Sequence, residues 1–224
     1  MTAPSKNSQK TKGSKPKVIC LFSSGIDSPV AAHLLLEQGI EVIPVFCYNY
    51  PYMDEEEIQN VKLLLHTLSK LHKVKLTAYM IKHGPSLMEF SEHCEPKAMC
   101  ILCKRMMLRT AEKIAKKEKA IAIMTGENLG QVASQTLDNL IVNHAAVKLP
   151  VLTPLLGFDK EEIVQIAKKI KTYNHSIAPT SGCSAVPRYP LTHARIEQIQ
   201  EEERNVNVKK LVDASFKSIK AVKY

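Results

Sequence analysis

The sequence has no tryptophan, and only five phenylalanines and seven tyrosines among its 224 residues. So few rings argue against a dedicated aromatic platform on which successive bases would stack. No apolar run approaches the length of a membrane span, which argues against a helical membrane protein, and no membrane partner is expected. Neither the Gly-x4-Gly-Lys-Ser/Thr pattern nor Gly-x-Gly-x-x-Gly occurs, which removes the two commonest glycine-rich phosphate loops. The stretch from Met1 to Lys17 is rich in Lys, Ser and Thr and carries no apolar segment. It reads as no secretory signal, and residues 1–16 as a disordered basic tail. A cytoplasmic location is therefore expected, and the six cysteines read as thiols, metal ligands or catalysts rather than as a disulfide framework.

Cationic charge is plentiful. Thirty-one Lys and Arg against 22 Asp and Glu leave a net charge of +9. Such an excess suits a polyanionic partner, nucleic acid first, although part of it lies in the terminal segments. The 45% hydrophobic content supports one sizeable core.

Strand and helix patterns alternate. Strands are predicted at Val18–Phe22, Val42–Cys47, Lys75–Ile81 and Ala120–Met124, with a short apolar stretch at Val151–Leu155. Helices are predicted at Val30–Gln38, Glu55–Leu71, Cys100–Lys119, Gln131–His144 and Lys160–Ile170, the last with Asp159 as N-cap. This order argues for an α/β fold, a doubly wound and mostly parallel sheet with helices on both faces. The expected core domain spans residues 17–190, followed by a charged helical extension over 191–224.

In such sheets ligands sit at the carboxyl ends of the strands. Three polar segments fall there: Ser23–Ser28, Cys47–Tyr50 and Gly126–Asn128. The first, Ser23-Ser24-Gly25-Ile26-Asp27-Ser28, joins a buried strand to a helix opened by Pro29. A small-residue turn at a helix N-terminus points backbone N–H groups and partial positive charge at one spot, a site for phosphate. The bland alternative is a tight turn with no ligand, since Gly, Ser and Asp are common in such turns.

The spacing resembles the Ser-Gly-Gly-x-Asp-Ser loop of the PP-loop ATP pyrophosphatases, with Ser24 in place of a glycine. The segment from Thr125 to Leu140, TGENLGQVASQTLDNL, closely resembles the corresponding stretch of the tRNA 4-thiouridine synthetases, a family also linked to thiamine thiazole synthesis. Ser28-Pro29-Val30-Ala31, Arg105–Arg109, Pro154–Leu156 and Asp159–Ile163 extend the match over about residues 17 to 200. That family's ferredoxin-like, THUMP and rhodanese domains have no counterpart in these residues. The expectation is therefore tRNA docking through a separate THUMP protein, or a smaller acceptor.

The resemblance implies ATP. Leu21, Phe22, Phe46 and Cys47 would line the nucleotide at two strand ends, and Ser23, Gly25, Asp27 and Ser28 would hold pyrophosphate. Lys104, where the family has Arg, would touch phosphate and lose the planar fork in doing so. Gly126 and Gln135 would close the adenosine side. Asp27 would help hold Mg²⁺. A homodimer is a further family-level expectation.

Cys100 and Cys103 form a Cys-x-x-Cys on one helix face. Cys183, in Pro-Thr-Ser-Gly-Cys-Ser, matches the family's catalytic-domain cysteine, which takes part in persulfide transfer. The three together resemble the archaeal-type enzymes, in which three cysteines hold a 4Fe–4S cluster. Soft thiolates suit such a cluster, and three of them leave one iron open for hydrosulfide. The helix N-terminus, Lys104 and Arg105 are expected to favour thiolate. A redox dithiol, a half zinc site shared with Cys183, for which only His93 or Cys94 offers a fourth ligand, and two buried small hydrophobes remain open.

The function implied is ATP-dependent adenylation of a uridine carbonyl in tRNA and its replacement by sulfur. Cys183, Asp27, Lys104 and Arg105 are the catalytic candidates, and sulfide or a cysteine desulfurase is the donor. The alternatives are sulfur transfer to a small molecule in thiamine synthesis, a nucleotide- or RNA-binding subunit that needs a catalytic partner, and a synthetase using ammonia.

Overall fold

The computed structural model describes residues 15–130 and 135–224. Six strands form one sheet: β1 Lys17–Phe22, β2 Glu41–Tyr48, β3 Thr77–Lys82, β4 Ala122–Met124, β5 Val151–Leu152 and β6 Lys220–Lys223, in the order β5-β4-β1-β2-β3-β6. All neighbours are parallel except β6, which runs antiparallel along β3. The helices are α1 Asp27–Glu37, α2 Glu56–His72, α3 Gly84–His93, α4 Met99–Glu118, α5 Leu137–His144, α6 Lys160–Lys169, α7 Tyr173–Ser176, α8 Ile196–Arg204 and α9 Val208–Lys217.

Alternation along β1 builds two layers. Val18, Cys20 and Phe22 point to one side, where Val61, Leu64, Leu65 and Leu68 of α2 and Ile163 and Ala167 of α6 pack. Ile19 points to the other, against Leu108, Ala111, Ile114 and Ala115 of α4. A third apolar cluster, made by α3, α4, α8 and α9, lies at one end and encloses Cys103. The sheet thus buries both faces, as a doubly wound arrangement requires. The chain runs from β1 out to β3, then returns to lay β4 on the opposite side of β1. The carboxyl ends of β1 and β4 therefore flank the point where strand order reverses, the usual ligand crevice of open α/β sheets.

Several elements differ from expectation. Helix α1 starts at Asp27, three residues early, because Pro29 needs no N–H donor within the first turn. Helix α3 was not foreseen. Its opening, His83-Gly84-Pro85, has turn composition, yet Gly84 lies so close to the chain that a Cβ there would fall 1.6 Å from the Tyr50 carbonyl oxygen. The predicted Gln131–His144 helix begins at Leu137, capped by Thr136, and residues 131–134 lie outside the described residues. The charged tail is two helices, α8 and α9, interrupted at Asn205–Asn207, and its end adds β6 to the sheet. Asp159 and Glu162 form a reciprocal cap at the start of α6: the Glu162 N–H donates to Asp159 at 2.8 Å, and the Asp159 N–H to Glu162 at 2.9 Å. The basic tail falls almost wholly on residues 1–14, outside those described.

Candidate active site

The turn after β1 is closed by its own hydroxyl. Ser28 Oγ accepts from the Ser23 N–H at 2.8 Å, donates to the Ser23 carbonyl at 3.1 Å, and stands 3.2 Å from Ser23 Oγ. Among the described residues no side chain caps α1, which leaves its first N–H groups to a ligand. Ser24 is not among the residues with positive φ, so a serine there costs no backbone strain, and its hydroxyl donates to buried Glu57. Asp27 accepts from Lys160 Nζ at 2.6 Å, which brings the α6 lysine to the loop.

Gly126, just past β4, packs on this turn. A Cβ on it would lie 2.8 Å from the Ser28 nitrogen. The next residue, Glu127, is buried and ties three groups together: Lys104 Nζ at 3.1 Å, His144 Nε2 at 3.0 Å and Thr125 Oγ1 at 3.0 Å. Burial alone would raise its pKa, but His144 and Lys104 outweigh burial and hold it at about 2.

Lys104 also lines a cavity of about 160 Å³ with Asn49, Cys100, Cys103, Cys183 and Met107. The Cys-x-x-Cys on the first turn of α4 and the distant Cys183 are therefore brought together. Cys183 is held by its loop: the Ser184 N–H donates to the Tyr52 carbonyl at 2.9 Å, and the Ser181 N–H to Asp54 at 3.2 Å. Asn49 Nδ2 donates to Cys183 Sγ at 3.8 Å, and His83 Nε2 stands 3.4 Å from Cys103 Sγ.

The thiols do not match the expected chemistry. Burial raises the Cys100 pKa, with Lys104 only partly offsetting it, and pushes Cys103 well above the ordinary range. Burial thus works against the thiolate at both positions, the reverse of the expectation, and a metal bound there would favour it. Arg105 is also placed differently. It is 1% exposed and forks onto Glu203 at 2.7 and 3.0 Å, while also donating to the Val142 carbonyl. Its charge is thus spent on joining α4 to α8 and α5.

Among the residues expected to line the nucleotide, Phe22 and Phe46 face one side of the sheet, and Leu21 and Cys47 the other. Only their backbone at the strand ends is shared. Buried Cys47 is pushed up to about 12 by desolvation. Gln135 is partly buried, and its Oε1 has no partner among the described residues. Cys94 bonds the Glu202 carbonyl at 3.4 Å and does not line the cavity. Among the described residues, no three His, Cys, Asp or Glu side chains are grouped closely enough to hold a metal ion as they stand, Cys100, Cys103 and Cys183 included.

Residues 13–208 match the family described as thiamine biosynthesis protein (ThiI). The chain belongs to the ThiI family. A probable tRNA sulfurtransferase of Methanosarcina mazei is 41% identical over 94% of this chain and 52% of its own length. One from Methanobrevibacter smithii is 41% identical over 92% and 55%. A 4-thiouridine synthetase, solved with RNA and bound ATP, superposes with a TM-score of 0.89 at 35% identity, covering 93% of this chain and 55% of that one. The chain spans about half the length of these relatives. An NMN synthetase from Francisella tularensis shares the fold alone, with a TM-score of 0.54 at 15% identity.

Sequence reasoning missed Glu127, His144, Lys160, Asn49 and His83. Asn49 and Glu127 lay in segments already placed at strand ends, which was the available signal. His83 directly follows β3, and nothing in its local pattern distinguishes it.

Proposed function

We propose that this chain carries the catalytic domain of an ATP-dependent tRNA sulfurtransferase of the 4-thiouridine type. The single observation behind this is a physical continuity. Gly126 packs on the phosphate turn, Glu127 beside it grips Lys104, and Lys104 lines the three-cysteine cavity. This continuity supports a reading in which nucleotide and sulfur chemistry lie side by side.

ATP would lie over the Ser23–Ser28 turn, its phosphates on the N–H groups of α1. The carbonyl oxygen of a uridine attacks the α-phosphorus, and pyrophosphate leaves with the bonding electron pair. A sulfur nucleophile then adds at the activated carbon, and AMP departs with the former carbonyl oxygen. Lys104 and Lys160 supply positive charge where charge develops on phosphate oxygens. Lys104 can do so because Glu127 holds it from one side only. Asp27 is the carboxylate available to Mg²⁺, shared with Lys160. A tRNA, a sulfide or desulfurase donor, a THUMP-bearing docking protein, a homodimer and a cytoplasmic setting belong to the same proposal.

Cys100, Cys103 and Cys183 fit an iron–sulfur cluster by donor type. They are three soft sulfurs on one cavity, with two side-chain nitrogens near the sulfurs and a lysine beside them. When bound, a 4Fe–4S cluster would supply an open iron for sulfide. Anaerobically purified protein should carry about four irons and four sulfides per chain, lost on replacing all three cysteines by alanine. No iron after reconstitution would remove the cluster and leave persulfide chemistry at Cys183. The family description favours a second reading, sulfur delivery to a thiazole precursor. Activity on a small acceptor with none on tRNA would select it.

A further inference from the structure

Two buried polar side chains spend their hydrogen bonds on sulfur. Asn49, 5% exposed, directs Nδ2 at Cys183 Sγ (3.8 Å), and its Oδ1 has no partner among the described residues. His83, fully buried, directs Nε2 at Cys103 Sγ (3.4 Å), and its Nδ1 has none. Both are pinned by main chain. The His83 N–H donates to the Tyr48 carbonyl at 2.8 Å, and the Asn49 carbonyl accepts from the Tyr52 N–H at 2.8 Å. Buried polar atoms are normally satisfied, so two orphans beside two sulfurs require an explanation.

We propose that Asn49 and His83 are positioning residues, N–H donors that aim the Cys183 and Cys103 sulfurs into the cavity and stabilise them once deprotonated. This rests on the reading that these cysteines carry the sulfur chemistry. The tautomer follows from the orphan. If Nδ1 held the proton, a buried N–H would lack an acceptor, whereas a proton on Nε2 leaves only an unfilled lone pair, which proteins tolerate better. With the proton on Nε2, 3.4 Å from Cys103 Sγ, His83 is a donor to that sulfur rather than a base. Hydrogen bonds to a charged acceptor are roughly twice as strong as neutral ones, so both donors act mainly on the thiolates. Such outer contacts orient and tune metal-bound or reactive sulfur.

The test uses the metal-free full chain and reads alkylation of each cysteine by iodoacetamide at one pH, resolved by peptide mass spectrometry. His83→Leu should slow Cys103 about tenfold and leave Cys94 unchanged. Asn49→Leu should slow Cys183 similarly. His83→Gln, whose Nε2 reaches the same point, should restore most of the rate, whereas His83→Asn should not. Unchanged Cys103 rates in His83→Leu would overturn the inference. If that variant does not fold, equal rates in the Gln and Asn variants would overturn it instead. Iron content is measured separately. A chain that takes up no iron on anaerobic reconstitution, yet whose Cys103 rate depends on His83, would refute the cluster and keep the donors; a chain that takes up iron, but whose metal-free form shows no such dependence, would do the reverse.

Discussion

Gly126 lies against the backbone of Ser28, where a Cβ would fall 2.8 Å from the Ser28 nitrogen and 2.9 Å from its Cα. Neither neighbour is a flexible side-chain end, so the turn itself must move to admit a methyl group. Gly126→Ala should therefore weaken ATP binding at least about tenfold, the effect of roughly 1.4 kcal/mol. Calorimetric titration with ATP checks it, with the thermal midpoint as a control for folding. Unaltered affinity would mean that nucleotide does not use this turn.

Glu127 has three polar partners and is 7% exposed. Glu127→Gln removes the charge that Lys104 and His144 face, and should cost about 1–3 kcal/mol in urea unfolding. It should also free Lys104. The folded-state pKa of about 2 lies below the ordinary glutamate value of 4.5. The stabilisation is thus present above about pH 4.5 and disappears as pH falls towards 2. The Gln variant should lack that part of the acid dependence.

Glu203 accepts from Arg105 and Arg109 together, and Arg105 is almost wholly buried. Burial would raise the Glu203 pKa, but the two guanidinium groups outweigh burial and lower it. Glu203→Ala leaves a buried guanidinium uncompensated and should cost about 3–5 kcal/mol. Arg105→Lys should also destabilise, through loss of the fork. If Arg105 acted instead on phosphate, Glu203→Ala would spare stability and change kcat.

His33 Nδ1 and His72 Nε2 stand 2.9 Å apart, joining α1 to α2. Burial lowers both pKa values, and for His72 the neighbouring His33 adds to the effect. The unfolded chain therefore binds more protons than the folded one below the ordinary histidine pKa. Stability should fall as pH drops through about 6.5, by less than about 1.4 kcal/mol per pH unit for each proton. His72→Gln should flatten this slope. A slope of opposite sign in the native chain would show that the pair carries a proton.

The sheet was legible because its strands are short apolar runs that end in turn residues, and Val18–Phe22 followed by Ser23–Ser28 marks both strand and site. The three cysteines were legible as chemistry, but not their protonation. That depends on how deeply α4 is packed by α3, α8 and α9, which spacing cannot report. Arg105 was misplaced for a related reason. A basic helix face looks free until Glu203, 98 residues later, is seen to occupy it. Strand β6 went unread because Lys220–Lys223 is a charged edge segment whose pairing with Thr77–Met80 is wholly nonlocal.

The most direct test supplies the chain with ATP, Mg²⁺, unmodified tRNA and sulfide under anaerobic conditions, with a THUMP-bearing protein present. AMP and thionucleoside are counted in the same reaction by nucleoside mass spectrometry. One AMP per thiouridine is expected, with both products abolished by Cys183→Ala. Thiouridine without AMP, or AMP independent of any acceptor, would contradict adenylation-driven thiolation.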